Sequence, residues 1–366
     1  MKLAAAGCFA FLLATAAEWR SPWFSAAVGT GPALSADGES EARCWTPAQL
    51  KSRPGERLIR RPAPAPDASR LKEYRPGPPP PAKLRGSIRR VKLPPGKKLV
   101  ALTFDLCEAS REIAGYDGAV VDYLRSARVP ATFFAGGKWL LSHKERGAQL
   151  LADPLFEVGN HSWSHKNLRL LKGAPLRDEV ARASAAYASI GAGLADAACV
   201  RDNPKLSARI SAPVRLFRFP YGACSRESLD AVASGGMLAI QWDVVTGDPF
   251  RGSTAQAIAR EVLRSTKPGS IIVAHANGRG WRTAAALPLF VPALRARGYR
   301  FVTVSELLKA GEPEVVSDCY ELRPGDNLRY DSFARVRKKR NVKLKARKPR
   351  RGASASGGLR GSPSGR

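Results

Sequence analysis

Seven short β-rich runs alternate with longer helical patterns between residues 97 and 331, and that alternation leaves few folds open. The runs are Leu99–Asp105, Ala131–Ala135, Phe156–Asn160, Leu216–Phe219, Leu238–Val244, Ser270–Ala274 and Tyr299–Val304. Several are apolar at nearly every position, the pattern of parallel strands covered on both faces. Between them, Asp117–Arg128 puts Val120, Val121 and Leu124 on one helical face, and Leu176–Ile190, Thr254–Ser265 and Ala285–Arg297 behave alike. Strand–helix alternation of this kind predicts an α/β fold with right-handed crossovers. Seven such units suggest a barrel, complete or incomplete; an open doubly wound sheet is the alternative.

The remainder of the 366 residues differs in composition. The net charge is +29, and it sits in the flanks. Residues 51–98 hold 15 Lys/Arg against 3 acids, and residues 334–366 hold 13 Lys/Arg and no acid. Residues 18–96 are rich in Pro, Arg, Ala and Gly and include Pro78-Pro79-Pro80-Pro81, so they predict an extended, largely disordered linker. Residues 332–366 alternate basic clusters with Ser and Gly and predict a disordered cationic tail. With 44% hydrophobic and 25% charged residues, the chain as a whole is neither disordered nor built for a membrane interior.

At the amino terminus, Lys2 precedes an uncharged stretch from Leu3 to Ala17 that ends near Ala14-Thr15-Ala16. This reads as a secretory signal peptide over residues 1–17, with an uncleaved membrane anchor as the other option. The expected location is periplasmic or secreted. Export permits disulfides. Cys44, Cys107, Cys199, Cys224 and Cys319 would remain, an odd number that leaves at least one thiol outside an intrachain bridge. Cys107 and Cys224 fall on loops at the same end of the predicted strands, so a Cys107–Cys224 disulfide is expected.

The chemically distinctive residues also gather at that end. Asp105 closes the first run; His161 and His165 follow the third; Arg218 lies in the fourth; Asp243 lies at the end of the fifth and Asp248 follows it; His275 follows the sixth. In a parallel α/β fold the carboxyl ends of all strands lie on one side, where ligand sites form. His161-Ser162-Trp163-Ser164-His165 has the i,i+4 spacing that brings two imidazoles to one face of a helical turn. Imidazole suits zinc and other borderline divalent ions. No CxxC or zinc-ribbon spacing exists, so no cysteine metal site is expected.

These segments resemble the polysaccharide deacetylases, carbohydrate esterase family four. Leu102-Thr103-Phe104-Asp105 resembles the first motif, His161-Ser162-Trp163-Ser164-His165 the second, Arg218-Phe219-Pro220-Tyr221 the third, Trp242-Asp243-Val244-Val245-Thr246-Gly247-Asp248 the fourth, and Ile272-Val273-Ala274-His275 the fifth. The order agrees throughout, and the resemblance covers about residues 97–310. It implies a distorted (β/α) barrel of about seven parallel strands and metal-dependent removal of N-acetyl groups from a glycan, with zinc the default ion. Carried over residue by residue, it makes Asp105 the general base, His161 and His165 metal ligands, and His275 the general acid. Arg218 would orient Asp105, and Asp248 would hold Arg218. Tyr221, after Pro220, would offer its backbone N–H to the oxyanion. Trp281, in the loop after His275, would lie on the substrate side.

One departure matters. The family pattern has a second Asp after Asp105, on the metal; here that residue is Leu106, which cannot ligate. Glu108 is the expected replacement, with Asp117 or a water as alternatives. The implied partner is an N-acetylated glycan such as peptidoglycan, a chitin-like oligomer or an exopolysaccharide. A hydrolase of a non-glycan amide, or a catalytically weak glycan-binding protein, would use the same barrel. The cationic flanks suit anionic cell-surface polymers or lipid. They lack the regular aromatic interleaving of a single-strand binder, so no specific nucleic acid is expected.

Overall fold

A computed structural model describes residues 44–332. The predicted signal peptide and almost all of the predicted cationic tail lie outside the described residues. The core is one strongly curled sheet that forms a half-barrel. Its strands are β1 (Ser87–Lys92), β2 (Leu99–Leu106), β3 (Ala131–Ala135), β4 (Phe156–Asn160), β5 (Leu216–Phe217), β6 (Leu238–Ile240), β7 (Val244–Val245), β8 (Ile271–His275), β9 (Arg300–Val302) and β10 (Glu312–Val316). They lie in the order β10-β1-β6-β5-β4-β3-β2-β8-β7, with β9 also paired to β2. Every described pairing between them is parallel except β1–β10.

The apolar runs of the sequence have their explanation here. β2 is buried at all eight positions because helices cover one face and the inside of the curl covers the other. Phe104 stacks on Phe133 at 5.3 Å between ring centroids, and Phe133 meets Phe156 edge to face at 5.1 Å, across β2, β3 and β4. The predicted helices form over Gly118–Ser126, Gly173–Ala192, Ala255–Ser265 and Thr283–Ala296. The first buries Val120, Val121 and Leu124 as its periodicity requires. The third starts where the Thr254 side chain accepts the N–H of Ala257.

Two expectations are corrected. The single run Leu238–Val244 is two strands: β6 sits beside β5, whereas β7 pairs with β8 at the far edge. Residues 241–243 carry the chain across the mouth of the curl. There the Gln241 N–H bonds Ile88 O and the Asp243 N–H bonds Ile271 O.

The expected disordered linker is, over its described part, docked on the core. Cys44 is disulfide-bonded to Cys199. Arg146, buried in the core, donates to both oxygens of Glu56 and to the carbonyls of Gln49 and Lys51. Arg60 bridges to Ile113, and β1 is an interior strand between β6 and β10. Four of the basic residues of this segment have acidic partners within the molecule: Arg53 with Glu145, Arg57 with Asp117, Arg61 with Glu112 and Arg90 with Glu314. Arg89 is buried, with its guanidinium 3.7 Å over the Tyr320 ring and bonded to Tyr320 O and Glu321 O.

The cysteines also pair differently. Cys224 bonds Cys319, not Cys107, and ties the segment after β10 to the turn that follows β5. Cys107 is the free, buried cysteine among the described residues. The odd count is thus resolved as two bridges and one thiol.

A candidate metal and acid–base site at the strand ends

Six of the polar residues singled out in the sequence meet at the carboxyl ends of the strands. Asp105 on β2 and His275 on β8 are register partners of adjacent parallel strands. His161 leaves β4, Arg218 leaves β5, and Asp248 follows β7.

Arg218 is fully buried and links the strands. Its guanidinium donates to Asp105 Oδ1 at 2.9 Å, to Thr103 Oγ1 at 2.6 Å, and to the carbonyls of Ile240 and Gln241. It lies over Phe134, 4.0 Å from the ring centroid. Burial pushes the Asp105 carboxyl up, but the positive charges of His161, Arg218 and His275 outweigh it and hold the group below the usual carboxylate range. Asp105 is therefore ionised at neutral pH.

Asp248 does not hold Arg218, as the resemblance implied. It holds His275 instead. Its Oδ1 is 2.9 Å from His275 Nδ1, and its Oδ2 accepts the His275 N–H at 2.7 Å. Thr246 and Thr283 hydroxyls complete its shell at 3.0 and 2.6 Å. The reason is topological: β7 lies next to β8, whereas β5 lies on the other arm of the sheet. Burial alone would lower the His275 pKa, but the Asp248 carboxylate and its hydrogen bond reverse this and raise it.

The two histidines are presented by a tight turn, not by a helical face. Ser162 (φ 62°) and His165 (φ 54°) both adopt left-handed backbone, which costs energy outside glycine. Neighbours hold the turn. Asn160 Oδ1 accepts the Ser162 N–H at 2.8 Å, and buried Glu179 accepts from the Ser164 N–H and hydroxyl at 2.9 and 2.7 Å. The imidazoles of His161 and His165 then lie 5.0 Å apart, and burial lowers both pKa values, which favours their neutral forms. His161 Nδ1 is tied to Arg218 O at 2.9 Å. Its Nε2 is buried without a hydrogen-bond partner, 3.6 Å from Asp105 Oδ2. A neutral imidazole with its proton on Nδ1 presents a lone pair at Nε2, the arrangement of a metal ligand.

Glu108 is not beside these histidines. Its carboxylate accepts from Ser142 Oγ at 2.8 Å and Ala114 N at 3.1 Å, and pairs with buried Lys138 at 3.4 Å. Asp117 is paired with Arg57 at 3.0 Å. The residue that does join the histidines is Cys107: one potential ligand atom each from Cys107, His161 and His165 lie within 4.8 Å of one another. Strand geometry accounts for this. Residues two apart share a face, so Cys107 continues the face of Asp105 while Leu106 turns fully buried into the opposite side. The signal in the sequence was that spacing; the expected disulfide obscured it. Asn277 was also missed; its Nδ2 donates to Cys107 O at 2.7 Å and lies 2.8 Å from Cys107 Sγ.

Pro220 and Tyr221 form a short turn beside the histidines. Tyr221 has φ 61°, and its ring is 4.6 Å from that of His165. Trp281 donates its N–H to Asp248 O at 3.0 Å, and its ring lies between the guanidinium groups of Arg57 and Arg251 at 5.8 and 4.3 Å. The arrangement joins an ionised carboxylate, a histidine biased towards its protonated form and a donor set suited to a divalent ion, the equipment for hydrolysing an unactivated acyl bond.

Comparison with known proteins agrees with this geometry. The polysaccharide deacetylase family pattern matches residues 92–240. A chitooligosaccharide deacetylase of a Bradyrhizobium species is 30% identical over 225 residues, which cover 58% of this chain and 91% of that protein. One from Sinorhizobium fredii is 32% identical over 216 residues, covering 56% and 89%. A peptidoglycan-N-acetylglucosamine deacetylase of Bacillus cereus is 27% identical over 224 residues, covering 60% and 71%. A solved peptidoglycan N-acetylglucosamine deacetylase, 23% identical, has the same fold at a TM-score of 0.50, covering 63% of this chain and 96% of its own. With its motifs in order on the curled sheet and these relatives matched over most of their length, the chain belongs to the polysaccharide deacetylases of carbohydrate esterase family four, metal-dependent hydrolases of carbon–nitrogen bonds.

Proposed function

We propose that this protein removes acetyl groups from the amino sugars of an N-acetylated glycan, with Asp105 as general base and His275 as general acid. The observation that carries the reading is the pairing of these two groups across adjacent strands, one biased towards its ionised form and the other towards its protonated form.

His161 Nε2 and His165 would hold the cation. When bound there, a divalent ion supplies Lewis-acid polarisation of the acetyl carbonyl and makes water more acidic. Asp105 Oδ1 is engaged by Arg218, and its second oxygen, Oδ2, faces the histidines. That oxygen takes a proton from the attacking water as the C–O bond forms. The Tyr221 N–H, aimed by its left-handed backbone, donates to the oxyanion. His275, with Nδ1 held by Asp248, gives the proton on Nε2 to the departing nitrogen as the C–N bond breaks. Acetate and a free amine result. Trp281 and the Pro220–Tyr221 turn border this space on the substrate side.

The test is acetate release from chitooligosaccharides and from peptidoglycan, with wild type and Asp105→Asn. Acetate from wild type alone supports the reading. Equal release by both removes Asp105 as base. Glycan binding with no acetate at any metal replaces the enzyme with a binding protein.

Export to the periplasm or beyond is part of the proposal. The Leu3–Ala17 stretch and the Cys44–Cys199 and Cys224–Cys319 bridges support it. Mass measurement of the mature amino terminus checks it; a chain that retains Met1 and its thiols reduced in cells would overturn it. The cationic residues 334–366 support retention on anionic surface polymers, to be read as salt-dependent release from the cell surface.

A further inference from the structure

We infer that Cys107 is the third protein ligand of the cation, bound through Sγ as a thiolate, and that the resulting Cys–His–His centre takes zinc in preference to hard divalent ions. The inference deepens the function proposed above and rests on it only for the presence of a cation at the histidine pair.

Three observations converge. The position that the family pattern gives to a metal-binding carboxylate is Leu106, whose side chain is fully buried on the opposite face of β2. Both nearby acids are committed elsewhere, Glu108 to Ser142, Ala114 and Lys138, and Asp117 to Arg57. Cys107, the free cysteine among the described residues, puts its ligand atom with those of His161 and His165 inside 4.8 Å. The independent pointer to a ligand is His161 Nε2. This buried atom has no hydrogen-bond partner and belongs to an imidazole whose other nitrogen is already fixed by Arg218 O.

Burial pushes the free Cys107 thiol up to about 12, so the thiolate forms only as the cation binds. The Asn277 amide lies 2.8 Å from Sγ, where its N–H donates to the sulfur, and bonds Cys107 O as well, so it aims the sulfur and supports its negative charge. Two imidazoles and one thiolate leave a fourth tetrahedral position open, the pattern of catalytic rather than structural zinc sites. Binding balances as one cation taken up and one proton released from the Cys107 thiol. Replacing a hard oxygen donor with sulfur moves the preference towards zinc and cobalt and away from magnesium, manganese and calcium.

The test uses the full chain carrying Cys8→Ser, so that Cys107 is its free thiol. Metal-free protein is loaded with cobalt(II), and the thiolate-to-cobalt charge-transfer band in the near ultraviolet is recorded beside metal content and acetate release. The band is expected in this protein and absent in Cys107→Ser and Cys107→Asp. Zinc affinity should fall at least about 100-fold in Cys107→Ser. Cys107→Asp should keep a cation and gain manganese relative to zinc. Stoichiometric cobalt that depends on His161 but shows no thiolate band overturns the inference, as does failure to bind cobalt at all. Should the serine variant misfold, the band in the parent protein alone decides. Acetate release without the band leaves the proposed function standing and removes this ligand; the band without acetate from any glycan does the reverse.

Discussion

Asp248 grips His275 at two points, through the imidazole Nδ1 at 2.9 Å and the backbone N–H at 2.7 Å. The carboxylate is fully buried between β7 and β8, so it sets both the orientation of the ring and its affinity for a proton. The general acid proposed above is thus governed by a residue that need not touch substrate.

The pH profile follows from that pair. With the roles proposed above, activity needs Asp105 ionised, so it is lost as pH falls through the lowered pKa of that group. It needs His275 protonated, so it is lost as pH rises through a pKa above the ordinary histidine value of about 6.5. In Asp248→Asn the raising charge is gone and burial dominates, so the alkaline limb of kcat/KM moves to lower pH. A pH series on both proteins reads the shift directly; an unmoved alkaline limb would separate His275 from the acid role.

Asp105→Asn keeps the hydrogen-bonding shape around Arg218 but cannot accept the water proton. A fall in kcat of about 10²–10⁴-fold is expected, with metal content unchanged. Single-turnover acetate release beside metal analysis checks both halves.

Arg218→Met leaves Asp105 as a buried carboxylate without its guanidinium. Stability should drop by about 3–5 kcal/mol in urea denaturation, the usual cost of removing one partner of a buried ion pair. Arg218→Lys should recover little of it, because a single ammonium cannot reach Asp105, Thr103 and two carbonyls together.

The Cys224–Cys319 bridge backs the turn at Pro220–Tyr221, the substrate side in the proposed function. The segment it anchors places Asn327 against Gly222 O and the Tyr330 ring 5.1 Å from Tyr221. Replacing both cysteines with serine should cost about 2–5 kcal/mol and raise KM more than it lowers kcat, since the turn at Tyr221 loses its backing. Steady-state kinetics below the lowered melting temperature tests this.

The boundaries of the folded unit can be cut experimentally. A chain beginning at Lys97 lacks β1, which stands between β6 and β10, and also loses the Cys44 bridge. It should not unfold cooperatively. A chain ending at Ser332 keeps every described element and should still release acetate. Calorimetry and acetate assays on the two truncations decide the point.

Local pattern was enough to reveal the strands from β2 to β9, with β6 and β7 merged, and four of the helices between them. Apolar runs such as Leu99–Asp105 and Ala131–Ala135 read as buried strands because both faces of a parallel sheet are covered. The placement of Asp105, His161, His165, Arg218, Asp248 and His275 at one end followed from the same rule, since strand direction puts their carboxyl ends together.

What escaped local reading depends on distant partners. β1 is a run of cationic residues whose Arg89 is buried only because Tyr320 and Glu321 meet it from the other end of the chain. The break between β6 and β7 reflects sheet curvature, which no short window encodes. Cys107 looks like half of a disulfide until the fold sends Cys224 to Cys319 and leaves the sulfur facing two imidazoles. The partner of Asp248 is likewise a matter of strand order. Residue types and periodicity determined which chemistry the chain carries and on which side of its sheet; closure of the sheet alone decided which acid serves which base, because such pairings depend on distances between segments far apart in sequence.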